Sequence, residues 1–222
     1  MLKTIRYHHY WFGFQEPLDN ACLDRLIQIF NEKEISQQET VLGGRTKCKK
    51  TVLPDIGAVV VKTYHRGGMI RYVSKDRYIK WGESRSQQEF NMLNKVRQLG
   101  IFTPKPVCFV NTCGIFYKAW LVTEEIDGAQ SMVELSQQDQ LLALKYMGKI
   151  IENINLLIQH QIVHVDLHPG NILIDKNGQV YLIDFDKALI ANQPKHILKQ
   201  RYIERWQRAN EKYCLNMEPL KL

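Results

Sequence analysis

The sequence predicts an α+β fold in two parts, a small strand-rich first part at roughly residues 1–126 and a reduced helical second part at roughly 127–222, making one domain. Three observations carry that expectation. "IGAVVVKTY" (56–64) is a continuous β-branched run of the kind that forms a buried strand. From about Ser136 the apolar period switches to the helical one. Later, two short apolar pieces flank Lys176-Asn177-Gly178, the signature of a hairpin.

The elements follow in chain order. Residues 1–20 are aromatic and irregular and read as an arm or a short strand. "NACLDRLIQIFNE" (20–32) places Leu23, Leu26, Ile27 and Phe30 at helical spacing, with Asn20 as N-cap. Gly43-Gly44 forms a turn between two β-prone pieces, and the strand at 56–64 ends near Lys62. Residues 65–82 form a basic loop. "SRSQQEFNMLNKVRQLG" (84–100) reads as a helix with Phe90, Leu93, Val96 and Leu99 on its apolar face and Gly100 ending it. Residues 103–126 read as two strands joined near Asn111 to Gly114. Residues 136–161 read as one long helix, with Leu141, Leu144, Met147, Ile151, Ile154 and Ile158 inward. The stretch 194–214 reads as a basic helix that either packs its apolar side inward or lies at a membrane surface.

Composition narrows the class. Apolar residues make up 45% and charged residues 24%, as in an ordinary soluble domain. A formal charge of +7 points to a polyanionic partner: nucleic acid, nucleotide phosphates or an anionic membrane face. The five cysteines are odd in number and form no C-x-x-C, which argues against a disulfide framework or a zinc site and fits a reducing cytosol. The N-terminus lacks a signal-peptide pattern. No run reaches the roughly 18 apolar residues of a membrane span, so any membrane contact is expected to be peripheral.

The chemistry concentrates in "HVDLHPGNILIDKNGQVYLIDFD" (164–186). Pairing its two apolar strands brings the loop at 164–171 and Asp184 to the same side. Asp166, Asn171 and Asp184 then converge. Hard oxygen donors of this kind suit Mg²⁺, which takes one or two carboxylates plus substrate phosphates. With Asn171 and Asp184 on the metal, Asp166 is left to accept a proton from an attacking hydroxyl. Asp186 pairs with a base or joins the metal; His164 holds the loop; His168 faces solvent or supports the site. In the first part, Lys62 at a strand end and Glu89 on the next helix form a candidate ion pair that aims the lysine at phosphate. Gly43-Gly44 is either a plain turn or a phosphate-approaching one. The loop carrying Arg66, Arg71, Lys75 and Arg77 is either a solvated basic loop or an anion-binding one.

The order of these elements, Gly-rich turn, Lys62, Glu89, "HVDLHPGN" and "DFD", resembles the protein-kinase-like fold, with its H-x-D-L-x-x-x-N loop and metal-binding D-F-G. "GGR" (43–45), "VVVKTYHRGGMIRYVSKDRYIKWG" (59–82), "SQQEFNML" (86–93), "TPKPV" (103–107) and "VYLIDFDKA" (180–188) are similar to the bacterial lipopolysaccharide kinase family, over roughly residues 40–210. That resemblance implies a bilobal kinase-like fold using ATP and Mg²⁺. It implies Asp166 as catalytic base, Asn171 and Asp184 as metal ligands, and Lys62, Glu89, Gly43 and Gly44 around the nucleotide. It also implies Arg66, Arg71, Lys75 and Arg77 on an anionic acceptor. The acceptor implied is 3-deoxy-D-manno-octulosonic acid (Kdo) on a lipid A precursor. The setting implied is the cytoplasmic side of the bacterial inner membrane, against its anionic surface, with no nucleic acid partner. The alternatives are another core sugar such as heptose, an aminoglycoside-type small molecule, or a kinase-like module that docks on a membrane without catalysis. The sequence departs from the kinase pattern in lacking a full G-x-G-x-x-G and in carrying Asp186 where the hinge glycine would stand. The short stretch after Asp186 disfavours a protein substrate.

Overall fold

The computed structural model describes residues 1–32, 47–64, 78–79, 82–114, 116–215 and 219–222. Gly43, Gly44, Arg66, Arg71, Lys75 and Arg77 lie outside the described residues. The α+β class expected from the sequence is observed. The chain divides into two compact units. The first comprises Met1–Asn91 and Lys105–Glu125, the second Met92–Pro104 and Ile126–Leu222.

The first unit is built on a six-stranded antiparallel sheet. In chain order its elements are β1 (Lys3–Tyr7), β2 (Tyr10–Phe14), α1 (Asn20–Asn31), β3 (Lys47–Leu53), β4 (Gly57–Thr63), β5 (Tyr78–Ile79), the start of α2 (Arg85–Gln98), β6 (Pro106–Thr112), β7 (Phe116–Tyr117) and β8 (Ala119–Glu124). The large sheet runs β1-β2-β6-β8-β4-β3, while β5 and β7 form a separate short pair. The strand at 56–64 and the strands within 103–126 fall where the sequence places them. The N-terminus does not: residues expected to be an arm or short strand form a hairpin whose second strand pairs with β6. Its aromatics explain this. Tyr10, Phe12 and Phe14 alternate inward and Trp11 outward, the two-residue period of a strand. The helix expected at 20–32 forms, but Asp19 rather than Asn20 is its N-cap, accepting from the Cys22 amide at 2.8 Å.

One face of this sheet carries the unit's core. Phe12, Val59, Val61, Val110 and Val122 pack with Leu23 and Leu26 of α1, and Phe30 stacks on Trp120 at 4.4 Å. Because side chains alternate along β4, Lys62 points away from this cluster.

The second unit holds the C-terminal half of α2, β9 (Gln130–Ser131), α3 (Met132–Gln138), α4 (Gln140–Lys145), α5 (Met147–Gln159), β10 (Ile162–Val163), a 3₁₀ turn (Pro169–Asn171), β11 (Ile172–Ile174), β12 (Val180–Leu182), β13 (Leu189–Ile190) and α6 (Lys195–Tyr213). The single helix expected over 136–161 is instead three. Ser131 opens α3 in a capping box with Glu134. Asp139 then adopts an extended conformation and its carboxylate caps the Leu142 amide at 2.9 Å, restarting the chain as α4. Leu141, expected inward, is exposed. The buried face runs Ala143, Met147, Ile150, Ile154, Leu157 and Ile158.

The expected hairpin forms, pairing Ile172 with Leu182 and Ile174 with Val180. Its turn is held by the Asp175 carboxylate, which accepts from the Asn177 and Gln179 amides, and by Gly178 at φ +80°. α6 buries Leu198, Tyr202, Trp206 and Ala209, so it is a packed helix with a basic outer side.

Candidate active site

In the first unit, Lys62 leaves β4 on the face opposite the aliphatic cluster, where α2 supplies Glu89. The Lys62 ammonium lies 2.8 Å from Oε2 and 3.0 Å from Oε1 of Glu89. Glu89 is 3% exposed at its side chain and Lys62 12%. A carboxylate this buried is tolerable only with donors around it. It has them: the Tyr64 hydroxyl also donates to Oε2. Lys62 and Arg85 both approach the Tyr64 ring face, at 5.3 and 5.6 Å. The pair read from the sequence is therefore formed; Tyr64 and Arg85 join it without having been singled out. Nothing local in the sequence marks Tyr64, two positions beyond Lys62, as a partner of a helix distant in the chain.

In the second unit, the loop after β10 is held from several directions. The Asn171 side-chain amide donates to the Asp166 carbonyl at 2.9 Å, and the Asn171 backbone amide donates to the His168 carbonyl at 2.8 Å. The Ile183 amide donates to the Asn171 carbonyl at 3.0 Å, which ties the end of β12 to the loop. His164, fully buried against Phe185 at 4.4 Å between rings, donates from Nε2 to the Ile183 carbonyl at 2.9 Å. Burial disfavours the imidazolium and lowers the His164 pKa to about 4, despite opposing help from the Ile183 carbonyl and Asp184. The ring is thus a neutral donor that fixes the loop to the strand, the structural part the sequence assigns to it.

His168 accepts from the Gly170 amide at 3.0 Å and caps the 3₁₀ turn. Its pKa is also lowered, first by burial and then by the Lys212 charge. Asp184 follows β12 at φ +64°, the left-handed region that Asp tolerates better than most residues. That bend turns the chain out of the hairpin immediately beside the residue bonded to Asn171. Asp166 and Asn171 are thus directly linked, and Asp184 is tied to them through Ile183. Asp186 sits half-buried two residues on.

Two contacts with this loop come from α6, late in the chain. The Tyr202 hydroxyl accepts from the His164 amide and donates to the Ile162 carbonyl, both at 2.9 Å. One turn later the Arg205 guanidinium pairs with the Asp166 carboxylate. The sequence shows Arg205 only as one cation in a basic helix, and no spacing rule connects it to Asp166.

The model of the Lipopolysaccharide kinase (Kdo/WaaP) family matches residues 33–212. The chain belongs to the lipopolysaccharide kinase family. Membership of this kinase family makes it a phosphotransferase. It is 35% identical over 190 residues to the 3-deoxy-D-manno-octulosonic acid kinase of Vibrio cholerae, covering 83% of this chain and 80% of that protein. It is 31% identical over 225 residues to the protein of the same name from Mannheimia succiniciproducens, covering 94% and 89%. The Pasteurella multocida protein of that name is 32% identical over 222 residues, with 93% and 88% covered. The kinase-like resemblance read from the sequence is therefore confirmed at family level.

The donor set in the second unit fits a hard divalent cation. Asn171 commits its amide nitrogen to the Asp166 carbonyl, which leaves Oδ1 for a cation, and Asp184 offers a carboxylate. Among the described residues, no three His, Cys, Asp or Glu side chains gather into a metal-holding group. Also among them, no helix is long and apolar enough to cross a membrane.

Proposed function

We propose that this member of the lipopolysaccharide kinase family transfers the γ-phosphoryl group of ATP to a hydroxyl of Kdo on a lipid A precursor. The observation that carries the reaction type is the Asp166–Asn171 loop, locked to β12 through Ile183 and His164. The names of the similar proteins support the choice of Kdo.

In this reading Asp166 orients the acceptor hydroxyl and takes its proton as the new P–O bond forms and the β–γ bridging bond breaks, with ADP leaving. Lys62, pinned by Glu89, neutralises phosphate charge on the nucleotide. Asn171 and Asp184 hold Mg²⁺, which when bound supplies charge neutralisation at the phosphates. Gly43 and Gly44 serve the nucleotide, and Arg66, Arg71, Lys75 and Arg77 serve the anionic acceptor. The protein works peripherally at the cytoplasmic side of the inner membrane, where its net charge of +7 favours an anionic surface.

The test is label transfer from γ-labelled ATP across a panel: Kdo-bearing lipid A precursor, heptosylated core and free aminoglycosides. Label on the Kdo acceptor, reduced ~10²–10⁴-fold by Asp166→Asn with nucleotide binding retained, is the expected result. Label confined to heptosylated core or to aminoglycosides would replace the substrate. Nucleotide binding with no transfer to any acceptor would favour a docking module.

A further inference from the structure

Asp166 does not stand alone: the Arg205 guanidinium meets its carboxylate. Both side chains remain open, at 37% exposure for Arg205 and 40% for Asp166. The helix that carries Arg205 is anchored. Tyr202, one turn before Arg205, is bonded through its hydroxyl to Ile162 and His164 at the root of the loop. Trp206, next to Arg205, is buried. The helix backbone therefore cannot withdraw Arg205 from Asp166 without breaking that seat.

An acid meant to face a substrate hydroxyl is an odd place for a guanidinium unless the guanidinium also faces substrate. Arg has five donors in a planar fork and one carboxylate uses two of them. A half-exposed ion pair is weak and readily exchanged for a better-placed anion. Arg201, Arg205, Arg208 and Lys212 recur at helical spacing along the same side of α6, a row of like charge that draws anions toward the loop. At the end of α6 the Tyr213 ring lies 5.8 Å from that of His168, so the helix runs on past Asp166 along the loop.

We propose that Arg205 is an acceptor-binding residue that takes the carboxylate of a sugar acid and so delivers a neighbouring ring hydroxyl to Asp166. The proposal rests on the reading of Asp166 as the proton acceptor. Without acceptor the guanidinium rests on Asp166. When the acceptor carboxylate arrives, it takes over the fork, and the Asp166 carboxylate is released to the hydroxyl. Carboxylate and hydroxyls of one sugar ring lie a few ångströms apart, which a guanidinium beside Asp166 can span. The device selects an acidic sugar over a neutral one at the reacting centre itself.

The experiment is steady-state kinetics of the full chain with the Kdo-bearing acceptor and with the same acceptor converted to its carboxamide. For the wild-type chain the carboxamide is expected to raise the acceptor KM on the order of tenfold to a hundredfold, the worth of hydrogen bonds to a charged group. KM for ATP should move less than about twofold. Arg205→Gln is expected to show the same rise with the native acceptor and little further rise with the carboxamide; Arg205→Lys should recover part of it. Independent, multiplying losses would overturn the proposal, as would a wild-type KM indifferent to the carboxamide, an outcome that needs no substituted protein. Asp166→Asn separates the two readings: it should lower kcat and leave the carboxamide effect on acceptor binding in place. If Asp166→Asn keeps turnover, the proton-acceptor reading fails whatever Arg205 does.

Discussion

The side-chain amide of Asn171 donates to the backbone carbonyl of Asp166 at 2.9 Å, so one residue sets the position of the acid and presents its own oxygen elsewhere. The two tasks can be separated. Asn171→Asp keeps an oxygen donor but sets a carboxylate against the Asp166 carbonyl, whereas Asn171→Ala removes both the bond to that carbonyl and the side-chain oxygen. Asn171→Asp should raise the Mg²⁺ concentration for half-maximal rate only modestly and lower kcat. Asn171→Ala should lower kcat by about 10²-fold or more and raise the Mg²⁺ requirement strongly. Rate measured against Mg²⁺ concentration for both variants checks this; an unchanged Mg²⁺ requirement in Asn171→Ala removes Asn171 from the cation.

Glu89 is the anion that makes a lysine tolerable at the end of β4. Glu89→Gln keeps the shape, removes the charge and costs stability toward the lower end of about 3–5 kcal/mol, since Lys62 retains some solvent. Adding Lys62→Met should restore much of that stability without restoring nucleotide affinity. Urea unfolding together with nucleotide calorimetry distinguishes the outcomes. Recovery of nucleotide affinity in the double variant would argue that Lys62 has no part in phosphate binding.

His164 gives a pH dependence of definite sign. Its folded pKa is lowered to about 4 by burial, below the ordinary value of 6.5. The unfolded chain therefore binds the extra proton first. This contribution to stability is full above about pH 6.5 and is lost as pH falls toward 4, with a size of about 3 kcal/mol at most. His168 is shifted the same way and adds to the slope. Unfolding free energies at pH 7 and pH 5 should differ less in His164→Gln, which keeps a donor for the Ile183 carbonyl and cannot titrate. An identical pH slope in the variant would show that the dependence arises elsewhere.

Gly13 faces Phe109 across the β2–β6 pair, and a Cβ placed on Gly13 would overlap the Phe109 ring. Gly13→Ala is expected to destabilise the chain by about 1–3 kcal/mol through overpacking. Combining it with Phe109→Leu should recover part of the loss. Thermal denaturation of Gly13→Ala, Phe109→Leu and the double variant tests whether the N-terminal hairpin is an integral edge of the sheet; a Gly13→Ala protein as stable as wild type would deny it that role.

What could be read along the chain was whatever is encoded by local period and spacing. The β4 run, the α2 face, the 172–182 hairpin and the Asp166, Asn171, Asp184 set are each short-range patterns, and a strand pair with a tight turn needs no distant information. The Lys62–Glu89 pair was legible because a strand-end lysine and a helical acid match the order of a known fold. The N-terminal hairpin escaped because the outward Trp11 is as aromatic as the inward Tyr10, Phe12 and Phe14, so burial alternates where residue type does not, and because its place was decided by pairing with β6, some hundred positions away. The long helix broke because Asp139 gains a cap by leaving helical conformation, a choice that apolar spacing does not record. Tyr64 on Glu89, Tyr202 on the loop and Arg205 on Asp166 are contacts between elements far apart in sequence. Only tertiary packing brings them together, because a side-chain hydrogen bond or ion pair depends on distance in space and leaves no period along the chain.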